Sequence, residues 1–108
     1  SCLVRGLGDV YKRQIAAITT EACLNAVKYS PPGAEIVISV QPHMGWTVIT
    51  ITNPVAKPTS KNIEMSSGIG MSSMNRIAAT IDARLDTELE SGKWELILSL
   101  PPSAHKRR

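Results

Sequence analysis

The sequence has few of the residues that build disulfide frameworks or metal cages. Its 108 residues include two cysteines, two histidines and no phenylalanine. Cys2 and Cys23 cannot form a disulfide framework, and Cys23 falls inside an amphipathic helical pattern, where a small core residue is expected. His43 and His105 are far apart and lack the spacing of metal ligands. These absences argue against a disulfide-rich secreted domain and against a Cys/His metal site.

Long hydrophobic runs are also missing. No apolar stretch approaches the roughly 20 residues needed to span a bilayer, and the N-terminus lacks the apolar core of a signal peptide. Hydrophobic residues make up 43% of the chain and charged residues 19%, which is typical of globular proteins. The length suits one domain with a single hydrophobic core.

The net charge of +3 comes from the two ends of the chain. Residues 14–104 contain six basic and eight acidic residues, a net charge of −2. No patch interleaves basic and aromatic residues. We therefore expect no nucleic-acid partner, because nucleic-acid binding needs a basic surface on the folded part.

Both termini differ from the rest of the chain. Residues 1–13 show no clear period, Gly6 and Gly8 are expected to interrupt any helix there, and the segment resembles translated adaptor or assembly sequence. We therefore expect 1–13 to be non-native and 14–102 to form the domain. The basic tail 103–108 is expected to be disordered.

Hydrophobic periodicity predicts the order helix, strand, strand, loop, helix, strand, strand, without an internal repeat. We predict helices over about 12–29 and 68–81, strands over 35–41, 46–53, 84–90 and 93–100, and a long loop over 54–67. This order predicts an α+β fold, a two-layer α/β sandwich with a mostly antiparallel, mixed sheet and its helices on one face.

An acid, an amide and an ammonium lie on one face of the first predicted helix. Glu21, Asn25 and Lys28 occupy positions i, i+4 and i+7, which places them in a row along the helix. Such a row by itself is more typical of a solvated polar stripe than of a site.

Two further features of the sequence favour a functional role for that row. Gly68-Ile69-Gly70 precedes a predicted helix, where exposed backbone N–H groups and the helix dipole favour anions. The pattern is neither a dinucleotide-binding fingerprint nor a Walker motif. Asn53 ends the second predicted strand on the same side as Ile49 and Ile51, so a polar side chain is expected beside buried aliphatic ones.

Together these features resemble the C-terminal ATP-binding domain of sensor histidine kinases, in the superfamily shared with gyrase, Hsp90 and MutL. Residues 21–30 (EACLNAVKYS) are similar to the family's N box, and 67–71 (SGIGM) to its G2 box. Residues 92–101 resemble its closing hairpin, and the likeness covers 14–102. The nearest type is the short-lid, nitrate-sensor kinase. The resemblance implies a Bergerat-type ATP-binding fold, here lacking its N-terminal part.

The resemblance implies roles for the helical row, with ATP and Mg²⁺ as cofactors. Asn25 would ligate Mg²⁺, since a hard cation prefers oxygen ligands. Lys28 and Tyr29 would contact phosphate oxygens, as an ammonium and as a hydroxyl donor. Glu21 would be the catalytic acid of the N box, which orients or deprotonates the attacking group.

The resemblance also implies a second set of contacts to the nucleotide. Ser67 belongs to the binding segment, and the backbone N–H groups of Gly68, Ile69, Gly70 and Met71 would face the phosphates. The loop 54–67 would be the ATP lid. Asn53 stands where the family usually has the aspartate of Asp-x-Gly-x-Gly, which accepts from the adenine amino group. An amide oxygen can also accept, but less strongly than a carboxylate.

The expected partners lie outside this chain. A histidine-bearing dimerisation domain and a response regulator would complete the pathway, so the chain by itself is expected not to phosphorylate itself. We expect a cytoplasmic domain and a monomer, in a full-length homodimer that could be anchored to a membrane through other regions. Two alternatives remain open: an anti-sigma-factor serine kinase of the same superfamily, and a degenerate protein-interaction module that binds no ATP.

Overall fold

A computed structural model describes residues 2–55 and 69–102. Its elements are α1 (Cys2–Tyr29), β1 (Val37–His43), β2 (Trp46–Pro54), α2 (Ile69–Thr80), β3 (Arg84–Glu90) and β4 (Lys93–Leu100). Neither described helix is long and apolar enough to cross a membrane. The predicted disorder of 103–108 lies outside the described residues.

The four strands form one sheet in the order β1-β2-β4-β3. Every neighbouring pair is antiparallel. The predicted α+β sandwich with helices and an antiparallel sheet is confirmed. The parallel pair that a mixed sheet requires does not occur among the described strands, because both hairpins and the pairing of β2 with β4 run antiparallel.

Both hairpins close through turns of two residues with positive φ. Met44 and Gly45 have φ of 52° and 88°, and Ser91 and Gly92 have φ of 54° and 76°. Positive φ at both central positions is the signature of a type I′ turn, whose twist matches that of the flanking strands. The turns therefore set the register of both hairpins.

Pro42 lies within β1 without weakening the sheet. The turn makes His43 and Trp46 a hydrogen-bonded pair, and antiparallel pairs alternate between hydrogen-bonded and non-hydrogen-bonded. Pro42 pairs with Thr47, so its backbone nitrogen points away from β2. A proline there removes no ladder hydrogen bond, as is usual on an edge strand.

The core lies between the helices and one face of the sheet. Its buried members are Ile18, Ala22, Ala26, Ile51, Met71, Met74, Ala78, Leu96, Leu98 and Leu100. Three are alanines on the two helices, and such small side chains let helix backbones approach each other and the sheet closely. The alternation of β4, buried at every second residue, supplies the sheet side of this core.

Helix α1 is longer at its N-terminus than the sequence predicts. It begins at Cys2 and runs through Gly6 and Gly8, so the expectation that these glycines interrupt any helix is wrong. A glycine costs a helix only about 1 kcal/mol relative to alanine. The predicted end at Tyr29 is confirmed, and Ser30 caps it by donating its N–H to the carbonyl of Ala26 (3.1 Å). The non-native origin of 1–13 stays a prediction.

We expect Leu98→Ala to lower the free energy of unfolding by about 3 kcal/mol, because it leaves a cavity in a closely packed core. Leu98 is fully buried, whereas Leu89 on the neighbouring strand is 45% exposed. Leu89→Ala is the matched control and should cost well under half as much. Urea unfolding followed by circular dichroism measures both. Equal losses would contradict the placement of the core.

Candidate functional site

The polar row on α1 lies at the border between the buried face and solvent. Glu21 and Asn25 are half-buried, and Ala22 and Ala26 beside them are fully buried. Lys28 is exposed. Two members of the row are therefore partly screened from water. A polar stripe that only faces solvent would be exposed along its whole length.

Lys28 and Tyr29 interact at the C-terminal end of α1. The Nζ of Lys28 lies 5.2 Å from the centroid of the Tyr29 ring, within the range of a cation–π interaction. The ammonium is also in the last helical turn, where the helix dipole favours a positive charge. This end of the helix thus presents an ammonium and a phenol side by side.

A second, smaller apolar cluster links the end of α1 to the sheet. Val55 and Trp94 are buried together, and Tyr29 packs against them. The N–H of Val55 donates to the carbonyl of Gly92 over 2.9 Å, which continues the pairing of β2 with β4 beyond Pro54. We name Tyr29, Val55 and Trp94 the strand-end cluster.

Asn53 lies next to the strand-end cluster and is fully buried. It pairs with Trp94 across the sheet. Its Nδ2 donates to the carbonyl of Pro54 over 3.1 Å, so rotating the amide by half a turn would bring two acceptor oxygens together. Its Oδ1 has no hydrogen-bond partner among the described residues. A buried acceptor without a donor costs about 1–3 kcal/mol, and such groups are rare in proteins.

The start of α2 matches the prediction from Gly68-Ile69-Gly70. The helix begins at Ile69, so its first backbone N–H groups have no partner within the helix and suit an anion. The side chain of Met71 is buried in the core, which leaves only its backbone for a ligand. Ser67, Gly68 and residues 56–66 of the predicted lid lie outside the described residues.

Two of the predicted site residues lie close to each other in the structure. Tyr29 and Asn53 converge on the strand-end cluster, and α1 packs against α2 through the core. Among the described residues, no group of three or more His, Cys, Asp or Glu side chains is placed to hold a metal. Any Mg²⁺ beside Asn25 would therefore need most of its ligands from water and phosphate, which is the usual arrangement for this ion.

Sequence reasoning missed Val55 as a member of the site. The signal that could have found it is the alternation of β2, since Ile51, Asn53 and Val55 are buried at every second position. Pro54 concealed this continuation because a proline usually marks the end of a strand.

Comparison with solved structures identifies the fold. The chain matches the Acinetobacter baumannii histidine kinase AdeS with a TM-score of 0.68, at 15% identity over 83% of this chain and 46% of that one. It matches the nucleotide-free catalytic domain of histidine kinase ThkA with a TM-score of 0.69, at 15% identity over 83% and 67%. The blue-light activated histidine kinase of Erythrobacter litoralis EL346 gives 0.71, at 13% identity over 86% and 31%.

The chain has the fold of histidine kinase catalytic domains. It spans about half the length of the AdeS chain that it matches. No protein-family model matches the sequence, and neither does any curated protein. At 13–15% identity the likeness shows the fold alone, and function must be argued from the site.

We expect Asn53→Leu to raise the free energy of unfolding by about 1 kcal/mol, because it removes a buried acceptor without a partner. Thr52→Val on the same strand is the control. Its hydroxyl donates to Glu95 over 3.3 Å, and losing this satisfied bond should lower stability by up to about 1 kcal/mol. Urea unfolding compares the two variants. A larger loss in Asn53→Leu than in Thr52→Val would show that Asn53 serves the fold rather than a ligand.

Proposed function

We propose that this chain is the ATP-binding part of a sensor histidine kinase. It would position Mg²⁺-ATP for transfer of the γ-phosphate to a histidine on a dimerisation domain outside this chain. The shared fold of histidine kinase catalytic domains supports the proposal. The observation that carries it is the buried Oδ1 of Asn53, which has no hydrogen-bond donor among the described residues and which would accept from the amino group of adenine.

The orientation of Asn53 suits adenine better than guanine. Because Nδ2 donates to the Pro54 carbonyl, the orientation of the amide is fixed and its Oδ1 is left to accept from a base. The amino group of adenine can donate to Oδ1, whereas guanine would place its O6 acceptor against another acceptor. A site discriminates strongly against a ligand that leaves one of the buried polar groups of the site without a hydrogen bond.

The strand-end cluster would support the purine ring. Val55 and Trp94 are buried, and Tyr29 is half-buried against them. Aromatic and aliphatic side chains of this kind line most small-molecule sites, with a few polar groups fixing the orientation of the ligand. Asn53 would be that polar group and would fix the orientation of the base. The neutral amide then need not supply most of the affinity, because the apolar side chains contribute to it.

The phosphates would lie between α1 and the start of α2. Lys28 would contribute a positive charge, and the Tyr29 hydroxyl and the amides of Ile69, Gly70 and Met71 would donate hydrogen bonds. The side-chain oxygen of Asn25 fits Mg²⁺, an ion that takes oxygen ligands and retains several waters. When bound, Mg²⁺ would neutralise charge on the phosphates.

Glu21 would act on the attacking group rather than on the nucleotide. It lies one helical turn before Asn25 on the same face. A histidine nucleophile needs little activation, so we propose that Glu21 orients it. Most of the rate would then come from positioning and charge neutralisation. In the full-length protein we propose a homodimer in the cytoplasm that passes the phosphoryl group to a response regulator.

A second candidate function rests on the Asn53-Pro54 pair, which replaces the family's Asp-x-Gly. In this alternative the domain has lost its nucleotide and only binds protein. The two proposals differ in a single measurable property, which is affinity for Mg²⁺-ATP.

We expect isothermal titration calorimetry to detect Mg²⁺-ATP binding, and Asn25→Ala to weaken it about tenfold or more through loss of a metal ligand. Asn75→Ala removes an exposed asparagine on α2 and is the matched control, with unchanged affinity expected. Absent heats in both variants and in the unaltered chain would favour the degenerate module.

We expect ATP to bind about tenfold or more tightly than GTP, since the fixed Oδ1 of Asn53 would accept from the amino group of adenine. Competition between the two nucleotides for one fluorescent ATP analogue measures the ratio. In Asn53→Ala the ratio should fall towards one while the fold is retained. Equal affinity in the unaltered chain would contradict the proposed role of Asn53.

A further inference from the structure

The ammonium of Lys28 lies against the ring of its neighbour in the chain. Its Nζ atom is 5.2 Å from the centroid of the Tyr29 ring, which is within cation–π range. Neighbouring residues of a helix point about 100° apart and do not face each other. The contact therefore requires the flexible lysine stem to bend towards a ring that other parts of the molecule keep in place.

The ring of Tyr29 is fixed by residues that are far from α1 in the chain. Tyr29 is half-buried and packs against Val55 and Trp94 in the strand-end cluster. This cluster lies where the end of β2 meets the start of β4, and there the N–H of Val55 donates to the carbonyl of Gly92 over 2.9 Å. The sheet therefore sets the position of the ring.

The backbone that carries Lys28 and Tyr29 is fixed as well. Ser30 donates both its N–H and its hydroxyl to the carbonyl of Ala26, over 3.1 Å and 2.5 Å. These bonds satisfy one of the carbonyl groups that the end of a helix leaves without a partner. The last turn of α1 is thus closed, and the remaining freedom at Lys28 belongs to its side chain.

That freedom is large for a lysine without a neighbour to restrict it. Lys28 is exposed, and its flexible four-carbon stem loses rotamer entropy when a ligand orders it. Glu21, the acid of the polar row, lies seven residues earlier, whereas ion pairs on a helix join residues three or four apart. The Tyr29 ring is therefore the group that restrains the ammonium.

An anion at this end of α1 needs a cation in a defined place. The helix ends at Tyr29, and the carbonyl end of a helix carries a partial negative charge. A phosphate between α1 and the start of α2 would be repelled by that end unless a positive charge offsets it. Lys28 is the basic residue of the last turn, so its position decides how well the repulsion is offset.

We propose that Tyr29 is a positioning residue, whose ring holds the Lys28 ammonium at the phosphate site before the nucleotide binds. The proposal rests on the proposed function, and it concerns the ring of Tyr29 rather than its hydroxyl. An ammonium has three N–H donors, so one side can face the ring while donors remain for phosphate oxygens. Because the lysine is already ordered, less entropy is lost on binding, as in other preorganised sites.

Calorimetric titration with Mg²⁺-ATP tests the coupling between the two side chains. The loss of affinity caused by Lys28→Met is measured in the unaltered chain, in Tyr29→Phe and in Tyr29→Leu. Tyr29→Phe keeps the ring without the hydroxyl, and Tyr29→Leu keeps an apolar side chain without the ring. We expect the loss to be about two- to fivefold smaller in Tyr29→Leu than in the other two, as for a cation–π contact at an exposed site.

A purely structural role of Tyr29 predicts a different result. If Tyr29 only packed the strand-end cluster, Tyr29→Leu would lower the affinity by the same factor with and without Lys28. Equal losses on Lys28→Met in all three backgrounds would therefore overturn the proposal. Lys93→Met is the matched control, because Lys93 is exposed and points to the face of the sheet opposite to Trp94. It should show no coupling to Tyr29.

Proton NMR of the chain without nucleotide separates this proposal from the proposed function. The ring current of Tyr29 should shift the ε-methylene protons of Lys28 upfield. Tyr29→Phe should keep that shift, and Tyr29→Leu should remove it. Val55→Ala should reduce it, because a smaller side chain loosens the packing that fixes the ring.

The two measurements fail in different ways. An unshifted Lys28 in the unaltered chain would overturn the proposal even where ATP binds, and a shift unchanged by Val55→Ala would overturn the anchoring of the ring by the strand-end cluster. A shifted Lys28 in a chain that binds no ATP would instead overturn the proposed function, and the role of the pair at the phosphates with it.

Discussion

The pairing of β2 with β4 is the contact on which the rest of the structure depends. It places Ile49 and Ile51 opposite Leu98 and Leu96, and these aliphatic side chains form the floor on which both helices pack. A shift of one residue would turn this whole row to the other face of the sheet. The same register carries Asn53 opposite Trp94, so the fold and the candidate site are specified by one set of backbone hydrogen bonds.

The candidate site lies where a polar side chain interrupts the buried apolar row of β2. Asn53 lies between Ile51 and Val55 in a buried row of aliphatic side chains, and its Oδ1 is left without a donor among the described residues. Proteins retain such costly groups mainly where a ligand needs them. The carbonyl of Pro54 accepts from Nδ2 and so fixes the orientation in which the acceptor lacks a described donor. Function and stability are therefore opposed at this residue.

The fold and the chemistry of the candidate site bear on function in different ways. The solved structures share the fold at 13–15% identity, which says nothing about whether ATP still binds. Asn53 and the strand-end cluster address that question through their chemistry.

Much of the fold could be predicted from sequence because its signals are local. Alternating apolar and polar residues predicted the strands. The sequence Ser-Pro-Pro-Gly predicted the end of α1, and glycines before an apolar stripe predicted the start of α2. Gly6 and Gly8 were misjudged because propensity is a weak prior that a long helix can override. Val55 was missed because Pro54 hides the continuing pairing with Gly92.

The amino-acid sequence by itself determined the order of helices and strands, the identity of the polar side chains and their resemblance to a kinase motif. Only the tertiary structure decided which of those side chains lose contact with water. Burial of Asn53 and the packing of Tyr29 on Trp94 both depend on residues far apart in the chain. Such contacts follow from strand register and helix placement, which no local pattern encodes.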